Sequence, residues 1–107
     1  MEAVQKVKCI NSGWFVLSFW VVVEGCPPLS SQDLPIRRAG TIDLSVSDLQ
    51  EGMEIELQIK AAMGKILTVR ERFRSARNGK TAVFEVHGTS LDFSIRLVEV
   101  EKNDDPV

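Results

Sequence analysis

The plainest pattern along the chain is alternation. From residue 53 to residue 60 the apolar Met53, Ile55, Leu57 and Ile59 alternate with the polar Glu54, Glu56, Gln58 and Lys60, the period of two that sets one group of side chains on each face of a half-buried β-strand. Similar runs cover residues 4–10 and 66–74, the stretch from residue 80 to residue 87, and Leu91, Phe93, Ile95 and Leu97, after which the phase slips at Val98 and Val100. A slip of one residue predicts a β-bulge. Shorter strands are expected over 36–39 and from Thr41 to Leu44. Clusters of Gly, Pro, Asn and Ser separate the runs, and three prolines between residues 27 and 35 mark the longest loop. The one helical signal lies at 47–52, where Ser47 is followed three residues later by Gln50 and the segment closes on Gly52. Seven or eight strands and no long helix predict an all-β fold, an antiparallel β-sandwich in the general manner of immunoglobulin or fibronectin type III domains, with an open barrel as the alternative. No repeat or internal boundary divides it, so residues 1–101 are expected to form one domain and 102–107 a flexible acidic tail.

Residues 14–24 break the alternation by being apolar on both faces. Phe15, Leu17, Phe19, Val21 and Val23 fill one face, while Trp14, Val16, Ser18, Trp20 and Val22 form the other. A sandwich strand buries one face and wets the other. The face with the two tryptophans is therefore surplus to a two-layer core, unless the proline-rich loop folds over it or the strand changes sheets midway. Asn78-Gly79 is the strongest hairpin signal in the chain. A two-residue turn there would set Phe73 opposite Phe84, Arg72 opposite Glu85 and Arg70 opposite His87, pairing aromatic with aromatic and Arg72 with an acid.

The stretch Leu49-Gln50-Glu51-Gly52-Met53-Glu54-Ile55-Glu56-Leu57-Gln58-Ile59-Lys60-Ala61 resembles the turn and following strand of fibronectin type III modules, where a leucine, a glycine three residues on and an alternating strand ending in a small residue recur. The resemblance implies a sandwich. Ile55 stands where that family carries a tyrosine, and three more strands follow where the family has about one.

Composition narrows the chemistry. The 107 residues are enough to bury one core without a disulfide scaffold or structural metal. Two cysteines and one histidine are too few for a four-ligand zinc cluster. A net charge of −2 argues against bulk nucleic-acid binding. If Asn11-Ser12-Gly13 turns a hairpin, Cys9 lies beside Phe15 or Val16 and roughly 33 Å from Cys26, so two free thiols are expected. That favours a cytoplasmic setting, although a removed secretion signal would leave no trace. The longest apolar run is about half of what a membrane helix needs. His87 is the single imidazole, and no glycine-flanked serine or helix-capped cysteine accompanies it, so no catalytic residue is expected. No cofactor or metal is expected either. Calcium held by Asp48 and Glu51 is a minor alternative, and capping accounts for both acids more simply.

Charge is distributed unevenly. Between residues 39 and 59 stand five acids and no base, whereas residues 60–80 carry seven bases and one acid, Glu71. Alternation turns Arg70, Arg72 and Arg74 to one outward face, with His87 beside them in the hairpin register, a row suited to an anion or an acidic partner. Its simpler reading is that Arg72 pairs with Glu85 and that Glu54 and Glu56 on a neighbouring strand neutralise the rest. These features predict a non-enzymatic binding module that self-associates through Trp14, Val16, Trp20 and Val22, with the arginine row tuning the partner. The alternative is a monomer that recognises a glycan or an anionic lipid surface.

Overall fold

The computed structural model describes residues 1–31, 33–46, 49–62 and 64–102. Its strands are β1 (Ala3–Val4), β2 (Lys6–Asn11), β3 (Leu17–Val23), β4 (Leu29–Ser30), β5 (Ala39–Asp43), β6 (Glu54–Ala61), β7 (Ile66–Ser75), β8 (Thr81–Thr89) and β9 (Asp92–Glu101), with a 3-10 turn at Leu44–Val46. They form two sheets, β1-β7-β6-β3-β4 and β5-β2-β8-β9, packed face to face as a β-sandwich. Two of the nine strands are only two residues long, which reconciles the number with the seven or eight expected. Within the described residues no helix is long and apolar enough to cross a membrane.

Alternation does what it predicts. Leu17, Phe19, Val21 and Val23 of β3 and Ile55, Leu57, Ile59 and Ala61 of β6 point inward, where they meet Val7 and Cys9 of β2 and Phe84 and Val86 of β8. The slip near Val98 is a bulge: Phe84 lies opposite Leu97 and Val83 opposite Glu99, so Val98 has no counterpart on β8. A second bulge sets Glu56 opposite Arg72 but Gln58 opposite Thr68.

The Asn78-Gly79 hairpin is corrected. β7 and β8 belong to different sheets, and the segment between them crosses the sandwich beside the N-terminal segment, which makes the same crossing between β1 and β2. Ala76 N donates to Val4 O, Gln5 and Lys6 both donate to Lys80 O, Asn78 Nδ2 donates to Ala3 O, and Gly79 N donates to Gln5 Oε1. The turn residues are thus used to hold a corner. Phe73 and Phe84 still meet, edge to face at 5.9 Å, but across the core rather than along one sheet. Two pairings, β2 with β8 and β1 with β7, are parallel, which the long stretch of chain between the partners permits.

Several local expectations shift. The strand expected at 36–39 is a turn at Ile36 and Arg37 followed by β5. The proline-rich segment lies along the edge of β3, through β4 and a bridge from Leu17 to Leu34, and does not cover the tryptophan face. Leu49–Gly52 is not helical. Ser47 and Asp48 lie outside the described residues, as do residues 103–107 of the expected tail. Cys9 lies opposite Gly40 and Phe84, not beside Phe15 or Val16. Both cysteines are free.

Candidate functional site

The described residues of connections 12–16, 31–38, 62–65 and 90–91 gather at one end of the sandwich, because β2 and β8 run toward it in parallel and β3, β5, β7 and β9 start from it. One buried residue, Asn11, ties two of these loops together. Its Nδ2 donates to Phe15 O at 2.8 Å, Leu34 O at 3.0 Å and Pro35 O at 3.3 Å, while its Oδ1 accepts from Gly13 N at 3.0 Å. Its own carbonyl accepts from Arg37 N, which holds Arg37 at a φ of 66°, a left-handed conformation that a residue with a Cβ adopts at a cost of about 1–3 kcal/mol. The hairpin expected at Asn11-Ser12-Gly13 is corrected, since β2 and β3 lie in different sheets. A buried amide satisfying loop carbonyls has no signature beyond an asparagine at a strand end.

The other two loops join the same end. Trp14 N donates to Gly88 O and Ala62 N to Val16 O. Phe15 packs on Phe93 with ring centroids 5.0 Å apart, and the Lys65 ammonium sits 5.7 Å from the centre of the Phe93 ring while donating to Leu91 O. Gly88 allows the close approach: its φ is 112°, and a Cβ there would strike Asp92 O and come within 2.9 Å of Phe93 Cα. On this scaffold stand Trp14, 69% exposed, Leu91, 81% exposed, and Ile66, half-exposed, together with Val16 and Ile36. Among the described residues seven large apolar side chains are exposed, and only Met1 and Val98 lie elsewhere. The exposed apolar surface is therefore concentrated at one pole.

Trp14 and Val16 are thus corrected to loop positions, since β3 begins at Leu17. Trp20 and Val22 are on the outer face of the first sheet, half-buried, and Trp20 Nε1 donates to Gln58 Oε1 at 2.8 Å. The four residues do not form one strand face. Leu91 and Ile66 complete the exposed group; Leu91, expected to alternate in phase with Phe93, is corrected to the turn before β9, and Ile66 lies at a strand start.

The arginines share that outer face with Trp20. Arg72 bridges Glu54 at 3.1 Å and Glu56 at 3.2 Å, and Arg74 donates to Gly52 O, so both are engaged with β6 and the turn before it, while Arg70 is exposed in the β7 bulge. His87 is corrected to the opposite sheet. There Glu85 accepts from Ser12 Oγ at 2.9 Å, His87 Nε2 at 2.8 Å and Arg96 Nη2 at 2.8 Å. Arg96 first, then His87 and Ser12, hold the Glu85 carboxyl at about 2, well below its ordinary 4.5. Through Ser12 this cluster also anchors the loop that carries Trp14. Burial pushes the Cys9 thiol up to about 12, as expected of a thiol packed in the core.

No protein-family model matches the chain, and no curated protein matches it by sequence. Three solved structures share the fold. A protein from Eubacterium rectale determined by NMR superposes with a TM-score of 0.60 at 10% identity, over 89% of this chain and 88% of that one. Pneumolysin superposes with a TM-score of 0.54 at 19% identity over 94% of this chain, and a non-hemolytic pneumolysin from Streptococcus pneumoniae strain ST306 with 0.55 at 16% over 92%. This chain spans about a quarter of the pneumolysin length, 24% in both cases. At such identities the likeness is one of fold.

Proposed function

We propose that the protein is a non-enzymatic binding module that seats its loop end on an anionic lipid surface. The observation that carries this reading is the gathering at one end of five of the seven exposed large apolar side chains among the described residues, Trp14, Leu91 and Ile66 foremost, with Asn11 bracing the loop that holds Trp14. Contiguous apolar surface left open to water marks a contact site. An indole beside aliphatic side chains suits the boundary between headgroups and acyl chains. Charge agrees: Arg37, Arg38, Lys60 and Lys65 stand at this end against Asp33 and Asp92, in a chain whose net charge is −2. Each apolar side chain fully withdrawn from water contributes about 1.5–3 kcal/mol, and each cation near an anionic membrane about 1 kcal/mol. Binding is therefore expected to be reversible and weakened by salt.

Trp20→Phe leaves Trp14 as the sole indole and makes its emission the readout. Vesicles of phosphatidylcholine with phosphatidylserine are expected to shift that emission to the blue and to co-sediment the protein. Phosphatidylcholine alone should do so less, and Leu91→Asp should abolish the effect. Emission that stays fixed at saturating anionic lipid would overturn the reading, and glycan binding would then be the next class to test.

A further inference from the structure

Sheet edges leave peptide groups unpaired, and folded proteins shield them with short strands, bulges or charges. Three of the four edges here are short: β1 and β4 have two residues each and β5 has five. The fourth, β9, is ten residues long and paired on one side only, with β8. Across the core, β7 is open over residues 66–73, because β1 reaches only Arg74 and Ser75. Both open edges lie on the same side of the sandwich, where Leu67 and Val69 of β7 and Ile95 of β9 line one cleft.

The ladder dictates which peptide groups are free. Val86 O and Gly88 O accept from Ser12 N and Trp14 N, so the alternate peptide groups of Glu85 and His87 point toward β9, and those of their partners Arg96 and Ser94 point back. Phe93, Ile95 and Leu97 consequently turn their N–H and C=O groups outward.

We infer that this edge takes a second copy of the same chain, two β9 strands pairing antiparallel with Ser94 opposite Ser94, Phe93 opposite Ile95 and Asp92 opposite Arg96. Two conditions select that register. Phe93, Ile95 and Leu97 face inward in each copy, so only pairings that keep them inward are allowed. Of these, centring on Asp92 or on Arg96 sets like charges face to face, and centring on Phe93 or Ile95 matches each charge with a neutral residue. Centring on Ser94 alone forms two Asp92–Arg96 pairs at once. Arg96 uses one nitrogen for Glu85 and remains 67% exposed, which leaves donors for a second carboxylate. The bulge at Val98 confines the regular segment to 92–97, and the pairing lies within it. The second copy's inward Ile95 and Leu97 extend the apolar layer beside Leu67 and Val69. Antiparallel pairing sends the two loop ends to opposite poles, so this contact and the lipid contact stand or fall separately.

The test is thiol crosslinking of Ser94→Cys in a Cys26→Ser background, with Cys9 out of reach in the core. Residues opposite each other in a non-hydrogen-bonded pair have Cα atoms about 4.5 Å apart, within disulfide range. Oxidation with diamide is expected to give a covalent dimer, at a rate about tenfold above that of the exposed Thr41→Cys control on β5. Adding Asp92→Arg, which sets two arginines against each other at both ends of the pairing, should slow it about tenfold, and Trp14→Ala should leave it unchanged. Equal rates for Ser94→Cys and Thr41→Cys, or a rate indifferent to Asp92→Arg, overturns the proposal. So does light scattering that finds only monomer in the unmodified chain up to millimolar concentration.

Discussion

The two ends of the sandwich are built on the same device and put to different use. Asn11 and Ser75 are the two buried polar side chains among the described residues, one near each end. Asn11 gathers the carbonyls of Phe15, Leu34 and Pro35. Ser75 Oγ donates to Gln50 O at 2.7 Å and accepts from Met53 N at 3.2 Å, while its backbone pairs with Gly52 and Met53. Each fixes an irregular connection that would otherwise leave peptide groups unpaired against the core. What stands on the two platforms differs: Trp14, Leu91 and Ile66 on one, and Gln50, Glu51 and Arg77 on the other. A buried polar brace is therefore a feature of the fold, and the exposed apolar tips are what single out one end as a contact surface.

Removing the braces separates structure from function most sharply. Asn11→Ala takes away partners of three carbonyls and one N–H, and is expected to cost about 3 kcal/mol by urea denaturation and to loosen the Trp14 loop. Gly88→Ala follows at about 2 kcal/mol, because its Cβ would meet backbone rather than a yielding side chain. Ser75→Ala should cost about 1 kcal/mol and leave the lipid response of Trp14 unchanged. If Ser75→Ala abolished that response as fully as Asn11→Ala, the distinction between the ends would be lost.

The smallest expected effect is one of pH. The folded-state value of Glu85 lies below its ordinary one, so its contribution to stability is complete above about 4.5 and is lost as pH falls from there toward about 2. The thermal midpoint of the native chain should therefore drop more over that interval than that of Glu85→Gln. Equal drops would show that the ties from Ser12, His87 and Arg96 add nothing to stability.

Much of the architecture was legible because period-two alternation reports burial directly. It identified β6 and the inward half of β3, and the slip at Val98 located a bulge in β9. The candidate site was legible only in pieces. Trp14 and Val16 were recognised as surplus apolar residues, but reading them as part of the strand joined them to Trp20, and the arginine row was matched to His87 through a hairpin that does not form. Asn11 reads as a hairpin turn and Leu91 as a member of the last alternating set, and Ile66 carries no signal, since a brace or an exposed tip depends on which loops become neighbours.

By itself, then, the sequence determined which side chains face the core in strands such as β6 that alternate cleanly, because the pleat makes that a matter of parity. Which strand lies beside which was decided only in three dimensions. Phe73 and Phe84 satisfy alternation equally well as hairpin partners in one sheet or as facing rings in two, and hydrogen bonds from Asn78 and Gly79 to the N-terminal segment are what select the second arrangement. The gathering of Trp14 and Leu91 at one pole is a consequence of that choice, since parallel pairing of β2 with β8 is what brings their loops to the same end.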